Sequence, residues 1–456
     1  MKKNVPKEKV KKEPLFFQKL TTFYLLCMLG FFLLFTGNNY TSITLSKFIC
    51  FFMLTGGYIL ISLVGRLELI AIGQIQPKKI SVLWKNMHIS QKCILIYWIS
   101  SFVSTIFSVD FYTSLIGTAR FDGFLTISLY CWLFLLISFD YVPKKSLLWI
   151  FGISMSITCI VSLIQFCGYN PLGLYPSGMN YYDAFKLYSG AFLGTLGNID
   201  IYSAMLCIAI PVFGISILKL KSNIRFFLLI PLLLCLFVLS KAFVAGGIVG
   251  VFSTTLILLP VLQPKTKKRK IMFIIFLLLI VLILTSIFFF GERIGGFIGE
   301  ASALLHGNWN DDFGSGRLYI WRKSLELVPA RPLFGGGPDT FDLRTDANFE
   351  RLDEKTGILI HSDVDVAHNE YLNIMVNQGL LAFIAYILAL GFAAIEWIKN
   401  ASSNPISAIC GGAVLCYSIQ AFFGISSPIS SPFFWICFAL VVKQNQLCKT
   451  TTFEGD

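Results

Sequence analysis

The chain has 456 residues, 55% of them hydrophobic and 14% charged, with a mean hydropathy of +0.73. Soluble domains carry about 25% charged residues, and disorder needs high charge with low hydrophobicity, so both classes are excluded. The net charge is +12, from 37 basic and 25 acidic residues, and its distribution follows membrane topology rather than a nucleic-acid partner.

The first 19 residues carry seven lysines and read as a cytoplasmic basic tail. The apolar run that follows ends without a small-residue cleavage site, so an uncleaved first span is expected. In chain order the spans are expected at 20–36, 43–65, 93–107, 123–139, 147–167, 199–218, 225–240, 242–262, 271–290, 371–398, 405–421 and 427–442. The alternating pattern of membrane strands is absent, which excludes a membrane β-barrel. The expected fold is an all-α polytopic membrane protein of about 12 transmembrane helices. Its parts are the tail 1–19, a membrane domain 20–290, a loop subdomain 291–370, a second membrane part 371–442 and a cytoplasmic tail 443–456.

With the N-terminus in the cytoplasm, 25 of the 37 lysines and arginines fall on inner segments. This bias places both termini inside, as an even number of spans requires. Of the 12 cysteines, eleven lie in or beside apolar stretches and Cys448 lies in the tail. None forms a CxxC pair, so they read as small packed residues rather than metal or redox ligands.

The segment 291–370 holds fourteen of the 25 acidic residues. Leu318, Trp321 and Leu325 have helical spacing within 316–327, and Gly335-Gly336-Gly337-Pro338 breaks the pattern. A loop of this length with Trp, Phe and Leu reads as an ordered subdomain on the outer membrane face.

Six constellations bear chemistry. Arg317, after Gly314-Ser315-Gly316, opens a helix, where a guanidinium beside free N–H groups suits phosphate. Arg322, five residues on, points to another side. A solvated or lipid-snorkelling arginine explains the pattern equally simply. The triple glycine around Gly336 lets backbone amides approach an anion, or is a plain turn. His368, with Asn369 and Tyr371, lies at the N-terminal end of span ten, whose dipole favours neutral imidazole. Asp365 and Glu370 push the other way, and an interfacial capping histidine is the alternative. His88, His306 and His361 show no metal-ligand spacing with it. Ser240-Lys241 forms a short outer turn, where a charge is an anchor or a substrate contact. Arg120 with Asp122 marks the entrance to span four, and Gly194-Thr195-Leu196-Gly197-Asn198 the entrance to span six. Gly246 and Gly250 permit close helix packing. Every one of the six falls on the outer face.

This ordered series resembles the O-antigen ligase and polymerase superfamily, polytopic bacterial membrane glycosyltransferases. The resemblance runs over Ser108-Val109-Asp110, Gly117 to Gly123 around Arg120, Gly-Thr-x-Gly-Asn at 194–198, Ser-Lys at 240–241, Arg-x-x-x-Trp at 317–321, Gly-x-Gly-Pro-x-x-Phe at 335–341 and His-Asn-x-Tyr-Leu at 368–372. It implies a GT-C-like helical fold and an undecaprenyl-pyrophosphate-linked oligosaccharide as donor. The acceptor would be a glycan, lipid or protein hydroxyl outside the cytoplasmic membrane. No nucleotide sugar, metal or other cofactor is implied. Arg317 and His368 match the family's pyrophosphate-binding arginine and its site histidine. The remaining candidates for pyrophosphate or glycan binding are Lys241, Arg120, Arg322, Asn198, Gly336, Asn369 and Tyr371. Lys241 stands where many members have arginine, which keeps the charge and loses bidentate pairing. Asn198-Ile199-Asp200 departs from the commoner Asn-Pro-Asn.

Polymerase, ligase and protein O-oligosaccharyltransferase share these motifs. A lipid-linked oligosaccharide flippase is the competing class. It predicts repeated halves and charges within the spans, whereas the chain has no internal repeat and few mid-span charges. A structural scaffold, with Arg317 and His368 as surface anchors, is the third reading.

Overall fold

The computed structural model describes residues 15–453 apart from 38, 41, 77–78, 119, 176–180, 184–185, 189–192, 348, 353–358 and 363. Most of the basic tail expected at 1–19 therefore lies outside the described residues, as do Ala119 of the Arg120 motif and part of the loop 168–198.

Sixteen α-helices are present among the described residues. The first eight are α1 (Leu15–Leu26, continued by a π-helical turn Cys27–Phe32), α2 (Ile43–Ala71), α3 (Ile80–Asn86), α4 (Ile89–Ile106), α5 (Phe111–Ile116), α6 (Phe124–Asp140), α7 (Lys145–Phe166) and α8 (Ile199–Lys219). The next four are α9 (Leu229–Ala242), α10 (Ala245–Val261), α11 (Lys267–Ile294) and α12 (Gly296–Leu305). The last four are α13 (Arg317–Leu327), α14 (Glu370–Asn400), α15 (Pro405–Gln420) and α16 (Ser431–Phe453). Each of the twelve expected apolar segments is a helix. Among the described residues, 8 helices are long and apolar enough to cross a membrane. Others, such as Ala245–Val261 and Pro405–Gln420, are apolar but shorter.

Two antiparallel hairpins, Tyr181–Asp183 with Lys186–Tyr188 and Phe349–Leu352 with Leu359–Ser362, were not foreseen. They are three and four residues long and sit in connections, where no apolar periodicity announces them.

Burial separates helices of similar composition. The α8 window is 83% buried, whereas the α11 window, of hydropathy 3.3, is 0% buried. Helix α11 touches α10 and α12 but buries no residue of its window fully, and an apolar face left open by protein is stable only against lipid. Helix α16 packs against α6, α14 and α15 at the centre, and Phe433, Phe434, Trp435 and Phe438 are almost fully buried. It continues past the expected end at 442 because its polar residues find partners. Asn404 Nδ2 donates to Gln444 Oε1 at 3.0 Å and Asn400 Nδ2 to Asn445 Oδ1 at 3.2 Å.

Polar groups at the helix ends are satisfied locally. The Lys47 ammonium, fully buried one turn into α2, donates to the carbonyls of Phe32 and Leu33 at 2.9 and 3.3 Å. These carbonyls lie where α1 ends, and the Leu33 carbonyl also accepts from Thr195 Oγ1 at 2.8 Å. His88 caps α4, its Nδ1 accepting from the Ser90 N–H at 3.1 Å, so Nε2 faces Glu396 at 2.8 Å as the donor.

Helix α14 is broken at Gly379, whose φ and ψ are 87° and 173°. The glycine-rich segment 332–337 lies in this break as a splint. Leu380 N–H donates to the Pro332 carbonyl and Gly337 N–H to the Asn377 carbonyl, both at 2.8 Å, and Gly336 N–H to Val376 at 3.3 Å. The Arg344 guanidinium covers the same freed groups, donating to Thr340, Val376 and Asn377. A second small core of Ile320, Phe341, Val364, Leu372 and Val376 then seals the 291–370 segment onto the start of α14. The segment is thus built on the membrane helix that follows it.

Candidate active site

Helices α8 and α14 both begin at the end of the bundle where the long loop lies. Each is capped by an asparagine. Asn198 Oδ1 accepts from the N–H groups of Asp200 and Ile201 at 2.9 and 3.1 Å. Asn369 Oδ1 accepts from Leu372 N–H at 3.1 Å. The caps orient the first turns, and both positive helix ends face this region.

Arg317 is the first residue of α13. Gly314, Ser315 and Gly316 before it all have positive φ, 65°, 62° and 83°, and form the tight entry that directs it. Its Nη1 donates to the Gly314 carbonyl at 2.8 Å, and Nη2 lies 4.0 Å from Asp200 Oδ1. Its Nε is buried and has no hydrogen-bond partner among the described residues.

Arg120 belongs to the turn between α5 and α6. It grips Asp365 in a bidentate pair, Nε to Oδ2 at 2.7 Å and Nη2 to Oδ1 at 2.9 Å. The turn is itself held by Asp339, whose Oδ2 accepts from Thr118 N–H at 2.7 Å. Burial pushes the Asp339 carboxyl up to about 6. Burial also pushes Asp122, which accepts from Ser426 Oγ at 3.1 Å, up to about 8. The Asp365 carboxyl is disfavoured by burial, but the Arg120 guanidinium outweighs this and holds it below the usual range.

His368 feels both pairs, since Arg120, Arg317, Asp200 and Asp365 all act on its charge. Its φ is 45°, a left-handed conformation uncommon outside glycine, and it directly precedes the α14 cap. Burial, then the guanidiniums of Arg120 and Arg317, hold its imidazole down at about 4, and Asp200 and Asp365 only partly oppose them. The competition left open by the sequence is decided for the neutral form. Behind it, Glu370 accepts from the hydroxyls of Tyr386 and Tyr417 at 2.9 and 3.0 Å and anchors the start of α14.

The structure therefore brings together Arg120, Arg317 and His368 with the capping residues Asn198 and Asn369. The other expected residues stand elsewhere. Lys241 is exposed at the end of α9, its ammonium 5.7 Å from the Phe237 ring centroid, and is not among the charges with the largest effect on His368. Arg322 is engaged at the surface by Asp311 and by Glu326 at 3.5 Å. The Tyr371 hydroxyl donates to the Ser418 carbonyl at 2.6 Å. Gly336 N–H is committed to the α14 break, so the triple glycine acts as the turn rather than as an amide cradle. Sequence reasoning did not pair Arg120 with Asp365 or Arg317 with Asp200. The acids are visible in the motifs, but separations of 245 residues in one case and more than a hundred in the other carry no local signal.

Two guanidiniums, each beside a carboxylate, a neutral imidazole and two helix N-termini form a site for a polyanion next to a proton acceptor. Residues 226–387, about a third of the chain, match the family model described as O-antigen ligase. This span contains Arg317, His368 and Lys241, whereas Arg120 and Asn198 precede it. An uncharacterized protein of Haemophilus influenzae is 29% identical over 111 residues, 24% of this chain and 26% of that protein. The alignment thus spans about a quarter of that relative's length. The match over 226–387 supports the O-antigen ligase and polymerase superfamily to which the motifs of the chain point.

Proposed function

We propose that the protein transfers or polymerises a glycan carried on undecaprenyl pyrophosphate, joining it to an acceptor hydroxyl at the outer face of a bacterial cytoplasmic membrane, in cell-surface polysaccharide synthesis. The observation that carries this is the neutral His368 set between the Arg120–Asp365 and Arg317–Asp200 pairs at the loop end of the bundle. The lysine and arginine distribution supports both termini in the cytoplasm and the loop end outside, and the family resemblance implies twelve spans in a GT-C-like arrangement.

The acceptor oxygen attacks the anomeric carbon and forms the new glycosidic bond. The bond from that carbon to the pyrophosphate oxygen breaks, which inverts the configuration. The electron pair leaves on the lipid pyrophosphate, where Arg317 and Arg120 meet the developing charge. The hydroxyl proton passes to His368. A base held at about 4 is weak, but a bound pyrophosphate offsets the two guanidiniums and raises it toward the working pH. Anion binding thus switches on the base. The leaving group is already activated, and the family resemblance implies a transfer that requires no metal. A polymerase, whose acceptor is a second lipid-linked glycan, is favoured over a ligase or a protein O-oligosaccharyltransferase.

The test is transfer in detergent with purified protein, undecaprenyl-pyrophosphate oligosaccharide and EDTA, for wild type, Arg317→Ala and His368→Ala. Longer lipid-linked glycan from wild type alone is the expected result. Equal product from the variants would overturn the site. Absence of product from wild type, together with movement of the lipid-linked oligosaccharide across vesicles, would replace the enzyme by a flippase.

A further inference from the structure

At the end of the bundle remote from His368, a cleft of about 740 Å³ opens between α1, α7, α8, α15 and α16. Its walls are apolar, with Leu29, Phe151, Val212, Ile409, Phe433 and Ile436 among them. Its rim holds Lys144 and Lys145 from the α6–α7 turn and Lys221 and Arg225 from the segment after α8. Among the described residues, the lining includes four basic groups and no aspartate or glutamate.

Arg225 is poised for a ligand. One Nη donates to the Leu220 carbonyl and the guanidinium lies 5.0 Å from the Phe226 ring centroid. Its Nε is buried and has no partner among the described residues. A buried donor of this kind calls for an acceptor oxygen.

We propose that this cleft is a binding site for an anionic phospholipid, one acyl chain lying between the helices and the phosphate meeting Lys221, Arg225 and the paired lysines. The charge selects an anion, and the apolar walls select one with a hydrocarbon chain. Basic pockets between membrane helices recognise such headgroups. The chain's own N-terminal tail is lysine-rich, so its charge does not complement the rim. The size lies in the ~300–1,000 Å³ range of small-molecule sites. Nothing in the reasoning uses the glycan-transfer chemistry, so either proposal can fail alone.

The test is native mass spectrometry and thermal unfolding of the full-length protein in detergent, with phosphatidylglycerol, phosphatidylcholine or inorganic phosphate added. Wild type retains phosphatidylglycerol selectively and is stabilised by it, whereas phosphatidylcholine and phosphate have little effect. Lys221→Gln with Arg225→Gln weakens retention roughly 30-fold, the effect of two charges near an anionic headgroup. Ile409→Trp, which fills the cleft and leaves the rim intact, also reduces it. Monodisperse elution establishes that each variant is folded. Equal retention of both lipids, unchanged retention in both variants, or equal stabilisation by inorganic phosphate would overturn the proposal.

Discussion

Replacing Gly379 by alanine tests the splint that joins the long loop to α14. A Cβ at this position would lie 2.2 Å from the Leu333 carbonyl oxygen, 2.4 Å from its carbon and 2.5 Å from Phe334 N. These are backbone atoms and cannot rotate aside. The conformation, φ 87° and ψ 173°, is also essentially reserved to glycine, at a cost of about 1–3 kcal/mol for another residue. Relief requires the 332–337 segment to move away. That breaks the Leu380–Pro332 and Gly337–Asn377 bonds, each worth about 1 kcal/mol. The sum is ~3–5 kcal/mol, a fall in Tm of roughly 3–5 °C for a chain of this size. Gly391→Ala is the control, since no atom lies within 4 Å of its Cβ and its φ is helical. It should match wild type or gain up to about 1 kcal/mol. The assay is size-exclusion chromatography of the detergent-solubilised protein after stepwise heating. A Gly379→Ala protein as heat-resistant as wild type would refute the splint and the close approach behind it.

Four further expectations follow from the site. His368 should stay unprotonated in the ligand-free protein down to about pH 4, read by NMR of labelled histidine in a chain with only 4 histidines. Because its proton affinity is lowered in the folded state, its contribution to stability is present above about pH 6.5 and declines as pH falls from there toward 4. Adding inorganic pyrophosphate at pH 5 should raise its protonation, and an unchanged spectrum would count against anion-coupled base activation. Asp365→Asn removes the bidentate anchor of Arg120 and should reduce transfer about 10- to 100-fold at normal membrane level, with little effect if the pair is decorative. Glu370→Gln leaves one of the Tyr386 and Tyr417 hydroxyls without its acceptor, for a loss of about 1–3 kcal/mol read as Tm.

The apolar segments were legible because a bilayer imposes their length, and twelve runs of low charge became twelve helices. The helix at Arg317 was legible from Leu318, Trp321 and Leu325 at helical spacing. The ordered motifs also pointed to Arg317 and His368 and to the superfamily. Burial was not legible. Helix α11, with hydropathy 3.3, has no fully buried residue in its window, while α16 carries Gln444 and Asn445 yet sits at the centre. Both patterns are apolar enough to mask which neighbour, lipid or protein, covers them.

Pairing was decided only by the tertiary structure. Asp365 and Glu370 argued for a charged His368, its helix dipole for a neutral one, and the sign depended on Arg120, 248 positions earlier in the chain, and on burial. The triple glycine read as a plain turn more readily than as an anion cradle, and the break at Gly379 claims the Gly336 and Gly337 amides. Local propensity and hydropathy are set by neighbours in sequence, so the chain alone determined its helices and its candidate motifs. Which charges share a site depends on contacts between distant segments, and those exist only once the helices have packed.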